Sequence, residues 1–445
     1  MLASTYALSE VLLFSSGTTE SAAINVTPNI IEASFYEEIN KPYVHASLVL
    51  VDDFNFRGMA AGQGTEFFKI SISDLENNKV ISEKYYAVAS IDASLELTDR
   101  SDAILINLVE EHVFVSQSNK ISRSYTGTLD TIVERIVSSE LGLQLHRYLF
   151  EETAQGSRKI VVPYMTPLDA ANWVKQRATS KSGFPYHLYS SLFGKNALRM
   201  TNLEAVMKSQ PINVNFPLNY TKASSDSFND PLKKSRTIKK FKEMKTDPTL
   251  SLLERGGFGS SYTAINLDNG IAEKTHFSGR NILDQFVVDN LIQSKYMLGS
   301  IDPYLTFNDK LADQYESPTV YQVSLGKTYS ESLNYHEDNE KLKMKGEIVK
   351  LILSRNPMDV LVDSFMFFMT RMSVANKIRM IFLNNDLGQP TTDLSRMIDK
   401  RRSGDYLLTA VRHDMSQTET NTSFSAIKID DLPANKPIIP ESAIE

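Results

Sequence analysis

Ser124-Tyr-Thr-Gly-Thr-Leu-Asp-Thr-Ile-Val-Glu-Arg-Ile-Val137, closed by Gly142, and Val162-Pro-Tyr-Met-Thr-Pro-Leu-Asp-Ala-Ala-Asn-Trp-Val-Lys175 are two capped helix signatures set between β-rich flanks. In the first, Leu129, Ile132, Val133, Ile136 and Val137 recur at helical spacing. Thr128 stands at the cap and Gly142 just past the end, so the pattern predicts an amphipathic helix over 129–141. In the second, Thr166 caps, Pro167 takes the first helical position and Asp169 lies near the positive end of the helix dipole. That helix should run to about Ala178 and bury Leu168, Ala171, Trp173, Val174 and Ala178. A short strand at 159–163, a hairpin of 186–190 and 197–200 around Gly194-Lys195, and a helical turn at 202–207 complete a compact α/β unit.

Outward toward the N-terminus the period changes to two. Ile31, Ala33 and Phe35 share one face of a strand, and Val44, Ala46, Leu48 and Leu50 share one face of the next, around a turn at Asn40-Lys-Pro42. Gly58, Gly62 and Gly64 mark a loop. Runs at 67–73, 84–97 and 103–116 add further strands, and such a series of short strands predicts a small barrel or sandwich. Toward the C-terminus a strand is expected at 262–267 and helices at 282–294 and 341–354. Alternation returns at 360–372 and 377–383. The chain closes with Ser403-Gly-Asp-Tyr-Leu-Leu-Thr-Ala-Val-Arg-His413, a hairpin returning through Phe424 to Ile429. The fold class expected is α+β, mostly β, with two small β-barrels, an intervening α/β domain and an insertion. The boundaries are 1–123, 124–220, 221–270 with 355–432, an insertion at 271–354, and a proline-bearing tail at 433–445.

With 445 residues, 42% of them hydrophobic and 23% charged, the chain can bury several cores. It has no cysteine, which excludes disulfides and thiolate metal sites and fits cytoplasmic folding. Val11–Phe14 is too short for a signal core, no run is long enough to cross a bilayer, and the sequons at Asn25, Asn219 and Asn421 are read as chance. A formal net charge of −7 does not suggest a nucleic-acid binder.

Catalytic chemistry is not legible. The histidines at 45, 112, 146, 187, 276, 336 and 413 lack the spacing of a helical zinc site, and Glu110-Glu111-His112, read on a strand, points its neighbours to opposite faces. There is no G-x-S-x-G elbow. Gly257-Phe-Gly259 falls short of a phosphate loop and reads as a tight turn. Asp52-Asp53, Glu151-Glu152 and Asp430-Asp431 read as solvated loops. The basic run Lys233, Lys234, Arg236, Lys239, Lys240, Lys242 and Lys245 reads as an edge strand guarded by lysines, or as a contact for an acidic neighbouring subunit. The methionines at 358, 366, 369, 372 and 380 read as core. No catalytic, cofactor-binding or metal-ligating residue is assigned.

The stretch Ser122–Ile136, the stretch Val161–Trp173 and the hairpin Ser403–His413 resemble the central baseplate hub proteins of contractile-tailed phages of the T-even type, over roughly residues 10–210 and 360–430. Related rings occur in type VI secretion spikes. The resemblance implies a non-enzymatic homotrimer with two similar β-barrels per chain, so that three chains present six barrels in a ring. It implies contacts with the six-fold tail tube protein, with a three-fold central spike protein (which can carry the tail lysozyme), and with baseplate wedge proteins. It places the chain in the virion tail baseplate, assembled in the host cytoplasm, with DNA passing through the ring, no sequence-specific nucleic-acid binding and no membrane insertion. A wall that passes DNA should not hold phosphates, so the lysines at 233–245 should face outward or toward a protein neighbour. The alternatives are a tail-associated cell-wall hydrolase using a dispersed acid pair, and a carbohydrate-binding tail protein, for which the buried face of Trp173 leaves no aromatic platform.

Overall fold

The computed structural model describes residues 5–15, 23–52, 66–98, 101–154, 156–194, 197–220, 234–244, 249–266, 272–292, 306–315, 319–324, 337–354, 357–383, 398–416 and 419–432. The loop glycines at 58, 62 and 64, Lys195, Lys233, Lys245, His336 and the prolines at 433, 437 and 440 lie outside these residues.

The fold is mostly β and is built on one 13-stranded sheet. The sheet divides into two modules. The first uses strands Tyr6–Ser15, Ile30–Glu38, His45–Asp52, Glu66–Asp74, Lys79–Thr98 and Ser101–Glu110. The second uses Leu218–Tyr220, Ile238–Glu243, Pro357–Asp363, Lys377–Phe382, Gly404–Ser416 and Thr420–Asp430. Counted along the chain within each module, the neighbour order is the same in both: second, third, sixth, fifth, fourth, first. The one difference is direction: the first strand is antiparallel to the fourth in the first module and parallel to it in the second. Each module also curls back on itself just before its second strand. In the first, Ile24–Asn25 pairs with Leu12 and Leu13, and one 3-10 turn then leads into Ile30. In the second, Asn219 bridges Thr237 and its N–H donates to Arg236 O at 2.9 Å.

Alternation builds the first core. Ala33 and Phe35, Val44, Ala46, Leu48 and Leu50, Phe68, Ile70 and Ile72, and Ile104, Ile106 and Leu108 all point into one cluster. Ile31 does not join them. A register shift between Ile30 and Glu32 turns it outward, because a bulge moves one residue to the opposite face.

The α/β unit follows its sequence signals closely. Thr166 Oγ1 accepts from the Asp169 N–H at 3.3 Å, and helix Pro167–Lys175 ends a turn short of Ala178. Helix Leu129–Leu141 ends at Gly142, whose φ of 66° is the left-handed cap conformation. Thr128 makes no backbone cap and instead shares a hydrogen bond of 2.6 Å with Thr131 Oγ1. The two helices bury their stripes with strands Tyr186–Ser190, Ala197–Asn202 and Gln144–Arg147, and with the pair Ile121–Gly127 and Arg158–Met165.

Three further expectations change. The run 103–116 is not one strand: it ends at Glu110, whose carboxylate turns inward to accept the Val44 N–H, and helix Glu111–Ser118 follows. The run 360–372 is strand Pro357–Asp363 and then helix Phe365–Thr370, started where Asp363 Oδ1 accepts the Phe365 N–H at 2.9 Å. Consecutive Met366, Phe367 and Phe368 are all buried, so the run shows no period of two. Strand Gly259–Asn266, grouped above with the second barrel, pairs instead with Ala272–Ser278 and Thr319–Ser324 in a separate sheet. Leu252, Phe258, Phe286 and Ile352 from this region nonetheless share the second module's core.

Candidate assembly surface

Strand Gly404–Ser416 serves both modules. Gly404–Leu407 pairs with Lys377–Met380 inside the second module, and Ala410–Ser416 pairs with Glu38–Glu32 of the first. A long strand with a register break at Leu408/Ala410 can turn from one sheet into the next without leaving backbone groups unpaired.

The α/β unit locks this joint. Its segment after Tyr186–Ser190 enters between the modules. Leu192 N–H donates to Glu37 Oε1 at 2.6 Å, and Ser82 Oγ donates to Leu192 O at 2.6 Å. Glu37 Oε2 accepts from Ser373 Oγ and from the Val374 N–H at 3.3 Å, so one carboxylate ties all three parts together. Burial pushes the Glu37 carboxyl above its ordinary value, against the pull of these donors. Nearby, Lys84 pairs with Glu110 inside the first module, and Lys84 Nζ also reaches Ser190 Oγ at 3.2 Å. Burial raises the Glu110 pKa, but Lys84 and then His112 more than reverse this and hold it below its ordinary value. Phe193 packs edge-on against Phe368 and His413, with ring centroids 5.4 and 5.7 Å apart. Desolvation holds the His413 pKa down at about 3, so this ring is a neutral core residue.

Two of the open strand edges in the large sheet bear on how the modules could extend beyond the chain. Strand Lys79–Thr98 pairs with Glu66–Asp74 only through Ala87, while its other side is paired with Ser101–Glu110 from Tyr86 to Thr98, so Val88–Thr98 keeps one edge open. Strand Ile238–Glu243 pairs with Pro357–Asp363 and stands at the end of the sheet path. These edges are the counterparts, module for module, of Ala410–Ser416 and Glu32–Glu38, which pair within the chain. The first carries Asp92 and Glu96, and the second carries Lys239, Lys240 and Lys242.

The remaining sequence candidates are dispersed. His112 Nε2 meets Pro42 O at 2.7 Å from a helix, His187 Nδ1 meets Asn40 Oδ1 at 2.9 Å, and His276 Nε2 meets Asp313 O at 3.0 Å. No cluster of three metal-ligating side chains occurs among the described residues. Gly257 and Gly259 serve close packing: a Cβ on Gly257 would enter the Leu252 side chain, and one on Gly259 would enter Asp313 O. Both glycines are therefore accounted for by tight packing. Glu151 is bonded by Lys208 at 3.3 Å and Asp431 by Lys428 at 2.7 Å. Met358, Met366, Met372 and Met380 are core, and Met369 is exposed. In the basic run, a shift between Ile238 and Lys240 breaks the single lysine face, Lys239 donates to Asn421 Oδ1 at 2.7 Å, and Phe241 packs between Tyr220 and Phe382.

Glu37 and Lys84 were not singled out by sequence, and Glu110 was weighed only as part of the Glu110-Glu111-His112 cluster. The available signal was weak: Lys84 occupies an inward position between Ser82 and Tyr86, and Glu37 lies two residues after inward Phe35. No helix among the described residues is long and apolar enough to cross a membrane.

No family model matches the chain, and no curated protein matches it. Among solved structures, it is similar to the tail protein of Neisseria meningitidis MC58, with a TM-score of 0.53 at 11% identity, covering 95% of this chain and 96% of that one. It aligns more loosely with the 43 kDa tail protein of prophage MuSo2 from Shewanella oneidensis, with a TM-score of 0.49 at 12% identity over 96% and 99% of the two chains. A third alignment is to the E. coli c3393 protein, a component of the type VI secretion system, with a TM-score of 0.42 at 7% identity over 93% and 77%. Of these three, the first is close enough to establish a common fold, and it does so over nearly the whole of both chains.

Proposed function

We propose that the chain is a structural, non-catalytic component of a contractile tail: a baseplate hub protein that assembles as a homotrimeric ring. The observation that carries this reading is the repeated strand order. Two like modules per chain become six like modules in a trimer, the arithmetic needed to mate a three-fold object with a six-fold one.

The joint inside the chain supplies a template for the joint between chains. Within the chain, the fifth strand of the second module lies on the second strand of the first. Repeating that contact between chains would lay Val88–Thr98 of one copy on Ile238–Glu243 of the next. Each contact satisfies two open edges with antiparallel backbone hydrogen bonds. One edge carries Asp92 and Glu96 in its sequence and the other carries Lys239, Lys240 and Lys242, so opposite charges favour the pairing and the basic run is taken up by a protein neighbour rather than by DNA passing through the ring. The six-fold face would meet the tail tube protein, and the spike and wedge proteins would meet the three-fold faces.

Light scattering on the purified chain, followed by electron microscopy of the particles, tests this. The expected result is a trimer with six β-modules around a channel. A chain that stays monomeric at high concentration and binds no tube or spike protein would overturn it.

A further inference from the structure

We propose that a cavity between helix Pro167–Lys175, helix Glu337–Leu353 and the second β-module is a binding site for a small oxyanion, a carboxylate or a phosphate, held by Lys175. This site does not depend on the hub reading. The cavity has a volume of about 440 Å³, within the usual range of ligand sites. Leu407, Thr409 and Ile427 form its floor from the second module, and Asn172 and Lys175 project from one helix into its wall.

Lys175 is 94% buried, its relative exposure being 6%, and no carboxylate of the described residues pairs with it. The charged and titratable groups around it are Lys350 from the facing helix, whose charge disfavours its own, and His187 and Tyr186 from strand Tyr186–Ser190; the two lysines in turn help to lower the His187 pKa. Lys350 has its own partner, Glu347 Oε1 at 2.7 Å, and the His187 ring is held by Asn40. The second module contributes no charge here. Lys175 is therefore a buried ammonium facing a ligand-sized space with no counter-charge among the described residues. Burial, and then Lys350, lower its pKa to about 8, the expected behaviour of a cation waiting for an anion. Asn172 Oδ1, three residues earlier on the same helix, is buried and accepts no hydrogen bond. A ligand carrying an N–H or O–H beside its anionic oxygens satisfies both groups. Hydrogen phosphate does so as a free ion, and a glutamate side chain with its backbone amide does so as part of a protein.

The test is competitive acetylation of the full chain's amino groups, read by mass spectrometry from about pH 6 to 10. The runs contain inorganic phosphate, acetyl-glutamate-amide, acetyl-glutamine-amide or sodium chloride at matched ionic strength. An anion in the cavity should raise the Lys175 titration by about one unit and slow its labelling about tenfold below that point. A larger effect of phosphate assigns a free ion. A larger effect of the glutamate compound, with the glutamine compound inert, assigns a protein carboxylate. The melting temperature gives a second readout: the anion should raise it in the wild type and not in Lys175→Met, which removes the buried charge while keeping the apolar stem. Labelling identical in all four solutions, or equal thermal responses of wild type and variant, would overturn the proposal.

Discussion

The backbone N–H of Leu192 donates to Glu37 Oε1 at 2.6 Å, across 155 residues of chain. Glu37 lies on the strand that also receives Ala410–Ser416, so this one bond couples the α/β unit to the seam between the two β-modules. The seam is a mechanical joint, and its polar groups carry the first two predictions.

Glu37→Ala should destabilise the chain by about 3 kcal/mol, because it strands the Leu192 and Val374 N–H groups and the Ser373 hydroxyl in the interior. Glu37→Gln tests its titration. The folded pKa lies above the ordinary 4.5, so the folded state holds this proton longer than the unfolded state. Stability from this group is therefore full below pH 4.5 and falls as pH rises from there through the raised value. Urea midpoints measured across that window should fall with pH in the wild type and fall less in Glu37→Gln. An identical slope would remove Glu37 from the account.

Lys84→Met leaves Glu110 buried without its cation and should cost about 3–5 kcal/mol, whereas removing both charges together should restore much of that loss. The pH sign is opposite to that of Glu37. The Glu110 pKa is depressed, so its contribution is present above the ordinary carboxylate value and is lost as pH falls through the folded one. A double-mutant cycle in denaturant, with Lys84→Met and Glu110→Gln, reads the coupling directly. A cycle that closes with additive effects would contradict the pairing.

The absence of cysteine makes the inter-chain joint open to cross-linking. Cysteine pairs that join Ser90→Cys or Asp92→Cys with Lys240→Cys or Lys242→Cys should give covalent trimers under mild oxidation, visible on a non-reducing gel. Each single variant should stay uncrosslinked. Trimers that form in solution while every pair fails to cross-link would retain the ring and reject this strand pairing.

Gly259→Ala should destabilise by about 1–3 kcal/mol, because the new methyl meets Asp313 O and the surrounding backbone must move. Gly142→Ala has open space around it but must adopt a φ of 66°, so it should cost about 1 kcal/mol. Thermal melts of the two variants separate crowding from backbone strain. A neutral Gly259→Ala would return that turn to the list of possible ligand loops.

Local signals were legible where one residue type has one physical use. Thr166-Pro167 and Gly142 mark helix ends because a hydroxyl, a fixed φ and a missing Cβ each satisfy a terminus directly. Strands with one wet face were legible by alternation, as with Val44, Ala46, Leu48 and Leu50. Phe365–Thr370 and Glu111–Ser118 were not, because short apolar or β-branched runs carry no period long enough to separate helix from strand. Gly259–Asn266 was legible as a strand but not as to its sheet, since alternation states a face and not a partner.

By itself, then, the chain's order of residues determined the mostly β composition, the α/β unit with its two capped helices, and the inward faces of most strands. These are set by contacts within a few residues. Tertiary structure alone decided that the two modules share one strand order, that Gly404–Ser416 fuses them, and that Glu37, Lys84 and Glu110 are interior. Those features join groups tens to hundreds of residues apart, and a buried charge is tolerated only once its distant partners have arrived.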